Sequence, residues 1–244
     1  MKKSPWVACA VRAVARLLFL CLLLAPLSPA RAADPKYLAL TFDDGPSGRF
    51  TRKLLEGLED RDAKVTFFLC GYRLEIYPEL ANAMLDQGHE IGLHGYSHKC
   101  MAKMDPVKLD RELEDTAALL TAQTGQNFSL LRPPGGIANQ TVTHAAQAHG
   151  LTLVTWSVDP KDWDTNNQET VVRRVVERAQ DGDIILLHDM SDSSVAAALE
   201  IIDTLTEQGY VFVTVSDLAA LRGEALQAGV LYSEFRIKDD TSLR

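Results

Sequence analysis

Seven short apolar runs, each followed by a stretch with helical periodicity, alternate from Tyr37 to Leu221. The apolar runs are Tyr37–Phe42, Val65–Leu69, Glu90–Leu93, Phe128–Leu131, Leu151–Trp156, Asp183–Leu187 and Tyr210–Val213. Between and after them lie Thr51–Asp60, Tyr77–Gln87, a stretch opened by Asp105 and Pro106, Gln140–His149, Thr170–Ala179, Ser194–Gln208 and Asp217–Leu221. Leu80, Met84 and Leu85 share one helical face, and Gly88 ends that helix. Asp105 as cap and Pro106 as first residue open the next, which carries Leu109, Leu113, Leu119 and Leu120. Helices between strands favour parallel pairing and right-handed crossovers. The fold class is therefore α/β, and seven units in one domain suit a barrel-like closure, complete or distorted. An open doubly wound sheet is the alternative. Both architectures collect reactive groups at the carboxyl ends of strands.

The 32 residues at the start predict an export signal. Lys2, Lys3, Arg12 and Arg16 give a charged start, Leu17–Leu24 is unbroken apolar, and Ala30-Arg31-Ala32 supplies a small-x-small cleavage pattern. From Leu17 the run meets Pro26 and Arg31, too short for a span of about 20 apolar residues. Leu20 before Cys21 argues against a lipoprotein signal. The expectation is a secreted or periplasmic chain with no stable membrane anchor after cleavage. The signal, 1–32, is followed by one domain over 33–222 and a short extension, 223–244, whose weak periodicity leaves its structure open. The signal holds five basic residues and no acids, so the remainder carries 20 basic against 33 acidic residues, a net of −13. Such a surface does not attract nucleic acid. Cys70 and Cys100 remain after cleavage, and an oxidising compartment makes a Cys70–Cys100 disulfide the expectation.

Unusual polar residues stand at five strand ends. The first run delivers Asp43 and Asp44 and stops at Gly45-Pro46, where no ladder continues. Two adjacent carboxylates disfavour each other's ionisation, and a cation or a shared proton is the usual relief. The same four residues also make a good solvated turn. The third run leads into His94-Gly-Tyr-Ser-His98. On a helical turn that spacing puts both imidazoles on one face. With a carboxylate from the first strand they form a two-His, one-carboxylate set with room for water, which suits a catalytic divalent metal. Zinc is the default; cobalt, nickel and iron fit as well. The remaining ends are Arg132-Pro-Pro-Gly-Gly136, Asp159-Pro-Lys-Asp162-Trp163 and Leu186-Leu187-His188-Asp189.

Thr-Phe-Asp-Asp-Gly-Pro, His-x-x-x-His, Arg-Pro-Pro, Asp-x-x-Asp-Trp and Leu-Leu-His, in this order, resemble the polysaccharide deacetylases, carbohydrate esterase family 4. The resemblance covers about Tyr37 to Leu221 and implies a distorted (β/α)7-type barrel in a single domain, with metal-dependent removal of N-acetyl groups from amino sugars. It implies Asp44, His94 and His98 as metal ligands, Asp43 as base and His188 as acid. Arg132 would hold Asp43, Asp162 would orient His188, and Trp163 and Leu186 would line a pocket for the acetyl methyl. These roles agree with the chemistry of the residues. A carboxylate beside an arginine stays anionic and can take a proton, and a carboxylate beside a histidine raises its pKa. An oxyanion needs a donor aimed at it, for which the Gly135 backbone N–H is the candidate.

Three positions depart from the family pattern. Leu93 and Gly95 flank His94 where Asn and a Ser or Thr are common, so a hydroxyl that would tie the ligand loop is missing. Gly135 stands where an aromatic residue often follows Arg-x-Pro, and Lys99 where proline commonly follows the second histidine. None removes a proposed catalytic atom. The expected function is an exported N-deacetylase acting on N-acetylglucosamine-containing glycan, peptidoglycan or chitin-like. The alternatives are an O-acetyl esterase on xylan or a similar glycan, and a catalytically silent glycan-binding module on the same fold.

Overall fold

The computed structural model describes residues 35–237; the expected export signal lies outside them. The described residues form eight strands and eight α-helices, alternating except where two helices follow β2. They are β1 (Lys36–Gly45), α1 (Arg49–Glu59), β2 (Thr66–Leu69), α2 (Gly71–Ile76), α3 (Glu79–Asp86), β3 (Glu90–Leu93), α4 (Pro106–Thr124), β4 (Leu130–Leu131), α5 (Gln140–Ala148), β5 (Thr152–Val154), α6 (Gln168–Val176), β6 (Ile184–His188), α7 (Asp192–Glu207), β7 (Tyr210–Phe212), α8 (Val215–Leu221) and β8 (Leu231–Tyr232). All strand pairs are parallel, in the order β6-β1-β2-β3-β4-β5-β8, with β7 pairing the first residues of β1. Closure between β5 and β6 is made by one bridge rather than a ladder: Val158 pairs Ile185, and Leu186 N donates to Val158 O at 2.9 Å. The barrel is thus curled and distorted, as expected.

Strand alternation sorts the core. Leu38, Leu40 and Phe42 of β1 face outward and pack with Leu54, Leu58, Ile201 and other helix residues in one buried cluster. Ala39 faces inward, in a second cluster with Phe68, Val154, Ile184, Leu218 of α8 and Phe235. Along the interior, Ala39 pairs Ile184, Thr41 pairs Leu186 and Asp43 pairs His188. The apolar plug at the base thus gives way to polar groups at the carboxyl ends.

Two elements carried no sequence signal. Helix α2 is a single short helix inside the connection from β2 to β3. The segment after Leu221 adds β8 beside β5 and buries Phe235, and Arg236 Nε donates to the buried Asp183 at 2.7 Å. Residues 223–237 therefore pack as part of the same body. Among the described residues no helix is long and apolar enough to cross a membrane. The expected disulfide is corrected: Cys70 and Cys100 are both free. Cys70 is sealed in the core at the end of β2, whereas Cys100 lines an outer groove.

Candidate active site

Asp43 and Asp44 would point to opposite faces of a regular strand. The register against β2 shifts between Asp43 and Gly45, and Asp44 has φ 71°, so the strand bulges at the second carboxylate. Such a bulge re-aims one side chain, and both carboxylates consequently reach the same imidazole. His94 Nε2 lies 3.3 Å from Asp44 Oδ1 and 3.7 Å from Asp43 Oδ2. His98 Nε2 lies 2.8 Å from Asp44 Oδ1.

The sequence placed the two histidines on a helical turn, and this is corrected. Residues 94–98 form a loop with left-handed Gly95 (φ 80°) and His98 (φ 56°). A Cβ at position 95 would sit 2.6 Å from Met101 Cε and 3.2 Å from Glu112 Oε2, and at φ 80° it would be strained whatever the space, so the backbone here favours glycine. The missing hydroxyl is replaced from α4. Glu112 accepts from the backbone N–H of Tyr96 at 2.7 Å and of Ser97 at 2.8 Å, and from the Ser97 hydroxyl. It stands sixteen residues from Tyr96 and belongs to no motif, so no local pattern points to it.

Arg132, fully buried, anchors Asp43. Its Nη1 donates to Asp43 Oδ1 and to Thr41 Oγ1, each at 2.7 Å, and Nη2 donates to Thr155 O at 2.8 Å. Its guanidinium lies 4.1 Å from the Phe68 ring centre. Its own carbonyl accepts from His94 Nδ1 at 2.6 Å. That bond places the proton on Nδ1 and leaves the Nε2 lone pair facing the carboxylates, the arrangement of a metal-ligating imidazole. The three ligand atoms of Asp44, His94 and His98 all lie within 4.8 Å of one another. Asp44 Oδ1 is buried and meets hydrogen-bond geometry with neither imidazole. An orphaned carboxylate oxygen beside a fixed imidazole lone pair fits a divalent cation. Burial would raise the Asp44 pKa, but the two imidazoles beside it hold it well below the usual carboxylate range.

The opposite wall carries His188 and Asp162. Parallel pairing puts Asp43 and His188 in register on neighbouring strands, so their side chains emerge side by side. Asp162 Oδ1 accepts from His188 Nδ1 at 2.8 Å, and its Oδ2 accepts from the His188 backbone N–H, also at 2.8 Å. Burial works against the charged imidazole. Asp162, with Asp43 and Asp44 beyond it, outweighs burial and pushes His188 up to about 9. Leu186 and the exposed Trp163 line the same cavity of about 470 Å³.

Gly135 lines that cavity with φ 72°, and no atom lies within 4 Å of a Cβ placed there. An aromatic side chain would be strained at this backbone angle although space exists for it. Trp156 and Asp159 line the cavity as well; the motif that contains Asp159 assigned it no role, and Trp156 carried no motif. Asp189 is a further residue without a sequence signal beyond its place after His188. It is fully buried, accepts from Thr51, and its backbone carbonyl accepts from Ser47. A Cβ on Gly45 would meet its Oδ1 at 2.8 Å, so Asp189 braces the turn that carries the two catalytic-strand carboxylates. Burial pushes its carboxyl up to about 6.

Comparisons with known proteins identify the family. The family model "Polysaccharide deacetylase" matches residues 30–154. The peptidoglycan-N-acetylmuramic acid deacetylase PdaC of Bacillus subtilis is 38% identical over 191 residues, which are 78% of this chain and 40% of PdaC. A peptidoglycan-N-acetylglucosamine deacetylase of Bacillus cereus is 39% identical over 190 residues, 76% of this chain and 89% of that protein. A family 4 acetyl xylan esterase from Clostridium thermocellum, solved with a cobalt ion, superposes with TM-score 0.76 at 31% identity, covering 83% of this chain and 100% of the other. The chain thus spans under half the length of PdaC and most of the B. cereus relative. It belongs to the polysaccharide deacetylase family.

Proposed function

We propose that the chain is an exported, metal-dependent hydrolase that removes N-acetyl groups from N-acetylglucosamine-containing glycan, peptidoglycan before chitin-like oligomers. One observation carries this reading: a candidate base and a candidate acid share a cavity with three converging metal-ligand atoms. The names of the peptidoglycan deacetylases it resembles favour that glycan. The charged start and apolar run before Ala30-Arg31-Ala32 favour export to where such polymers lie.

Asp44, His94 and His98 would hold the cation, zinc before cobalt, nickel or iron. When bound, it supplies Lewis acidity for the acetyl carbonyl and for a water. Arg132 occupies Asp43 Oδ1, which leaves Oδ2 toward the cavity to take the proton of the attacking water. The Gly135 N–H is the donor for the oxyanion, and Trp163 and Leu186 wall in the methyl group. As the C–N bond breaks, His188 Nε2 gives its proton to the departing amine, Nδ1 being tied to Asp162. Acetate and a free amine leave. An O-acetyl esterase would use the same residues with an easier leaving group, and the likeness to an acetyl xylan esterase favours keeping that reading second. A silent binding module would have no use for the base and the acid.

The test is acetate release from N-acetylglucosamine oligomers, peptidoglycan and acetylated xylan, with and without chelator. Release from the N-acetylated glycans that chelator abolishes is expected. Release from xylan alone would move the assignment to the esterase, and no release from any of the three would favour the silent module.

A further inference from the structure

The structure carries a second groove, of about 550 Å³, between the loop after His98 and the first turns of α4. Lys99, Lys103, Lys108 and Arg111 line it against one carboxylate, Glu112. Both Glu112 oxygens are already committed to Tyr96 and Ser97. Lys108 pairs with Asp105 at 3.0 Å, while Lys99, Lys103 and Arg111 make no ion pair with any described carboxylate. All four basic side chains are exposed. This is unexpected on a chain with a net charge of −8, where evenly spread charges would leave such a groove acidic. Its position is also informative. Lys99 follows the candidate ligand His98 directly, and both the loop and the start of α4 lie at the carboxyl end of β3, on the same rim as the active-site cavity.

We propose that this groove is a substrate subsite for carboxylates, and that it selects N-acetylated glycan bearing peptide substituents over neutral glycan. The inference rests on the glycan deacetylase reading and deepens it. A strand whose acetylated sugar sits between Asp43 and His188 would run past His98, where carboxylates of an attached peptide meet three cations that lack partners. Neutral chitin-like or xylan strands gain nothing there. Lys99 in place of the common proline also supplies a charge where the family pattern has none.

The experiment measures dissociation constants on the full metal-loaded chain carrying Asp43→Asn, so that binding is read apart from turnover. The two probes are an N-acetylglucosamine pentamer and peptide-bearing peptidoglycan fragments of similar length. At about 20 mM salt the peptide-bearing glycan should bind about 10-fold more tightly, the size expected of three exposed ion pairs. That preference should vanish when Lys99→Glu, Lys103→Glu and Arg111→Glu are combined. It should also shrink in the unaltered groove at about 300 mM salt, where screening shortens the reach of exposed charges. The salt series needs no groove variant, so it stands even if the triple reversal fails to fold. Equal or undetectable binding of the two glycans, or a preference that survives both added salt and charge reversal, would overturn the proposal. Acetate release by the unmodified chain is assayed in parallel. Its absence from both glycans would fail the deacetylase reading, while the binding comparison still decides the groove.

Discussion

The two walls of the cavity are built differently. The wall of the candidate base stands on β1, β2, β3 and β4, paired in parallel as Asp43 with Phe68, Leu69 with Leu93 and Leu93 with Leu131, with one register shift after Asp43. Arg132, with no exposed surface, ties it to the barrel interior. The wall of the candidate acid stands where the barrel closes by isolated bridges, Val158 to Ile185 and Asp183 to Glu234, and Asp162 and Trp163 lie on a short turn entered through left-handed Lys161 (φ 56°). Trp163 is 62% exposed. The candidate base is thus embedded in the core while the supports of the candidate acid are hung on a loop. Changes on the first wall should cost stability and activity together, and changes on the second mainly activity.

The largest separation should come from Arg132→Met. It strands the buried Asp43 carboxylate and should destabilise by about 3–5 kcal/mol in denaturant unfolding, with loss of turnover. A stability loss under about 1 kcal/mol would show that the base wall is not core. On the acid wall, Asp162→Asn should cut acetate release about 10²–10⁴-fold, since it removes the group that keeps His188 protonated. Its unfolding midpoint should move far less than that of Arg132→Met.

The pair also has a pH signature in the chelator-treated chain. The folded His188 pKa is about 9 against an ordinary value of 6.5. The stability it contributes is fully present below about 6.5 and is lost as pH rises through about 9. Unfolding measured from pH 6 to 10 should therefore show an alkaline decline that His188→Gln flattens; identical profiles would remove the ion pair. Gly95→Ser, which restores the common hydroxyl, should cost about 1–3 kcal/mol because of its positive φ and the Met101 contact. The smallest effect is expected of Trp163→Ala, which should change stability by less than about 0.5 kcal/mol and raise KM.

The base wall was also the more legible of the two in sequence. Each strand end announced itself because its apolar run stopped at an abrupt polar residue, as at Asp43-Asp44, His94 and Arg132. What stayed hidden was non-local or too short for a period. A two-residue strand such as β8 has no alternation to detect, and closure by isolated bridges leaves no mark along the chain. Spacing alone placed His94 and His98 on a helix, because four residues fit a helical turn as well as a loop with two left-handed residues. Glu112, Trp156 and Asp189 act through contacts distant in sequence, which no local pattern encodes. The Cys70–Cys100 pairing was inferred from compartment and count, neither of which reports that one thiol is sealed in the core.

The central claim is that one divalent ion is held by Asp44, His94 and His98 between Asp43 and His188. Metal content measured on three purified chains tests it most directly: unmodified, Asp43→Asn and His94→Ala. About one divalent ion per chain is expected in the first two and none retained in the third. Stoichiometric metal in His94→Ala, or its loss from Asp43→Asn with the fold intact, would contradict it.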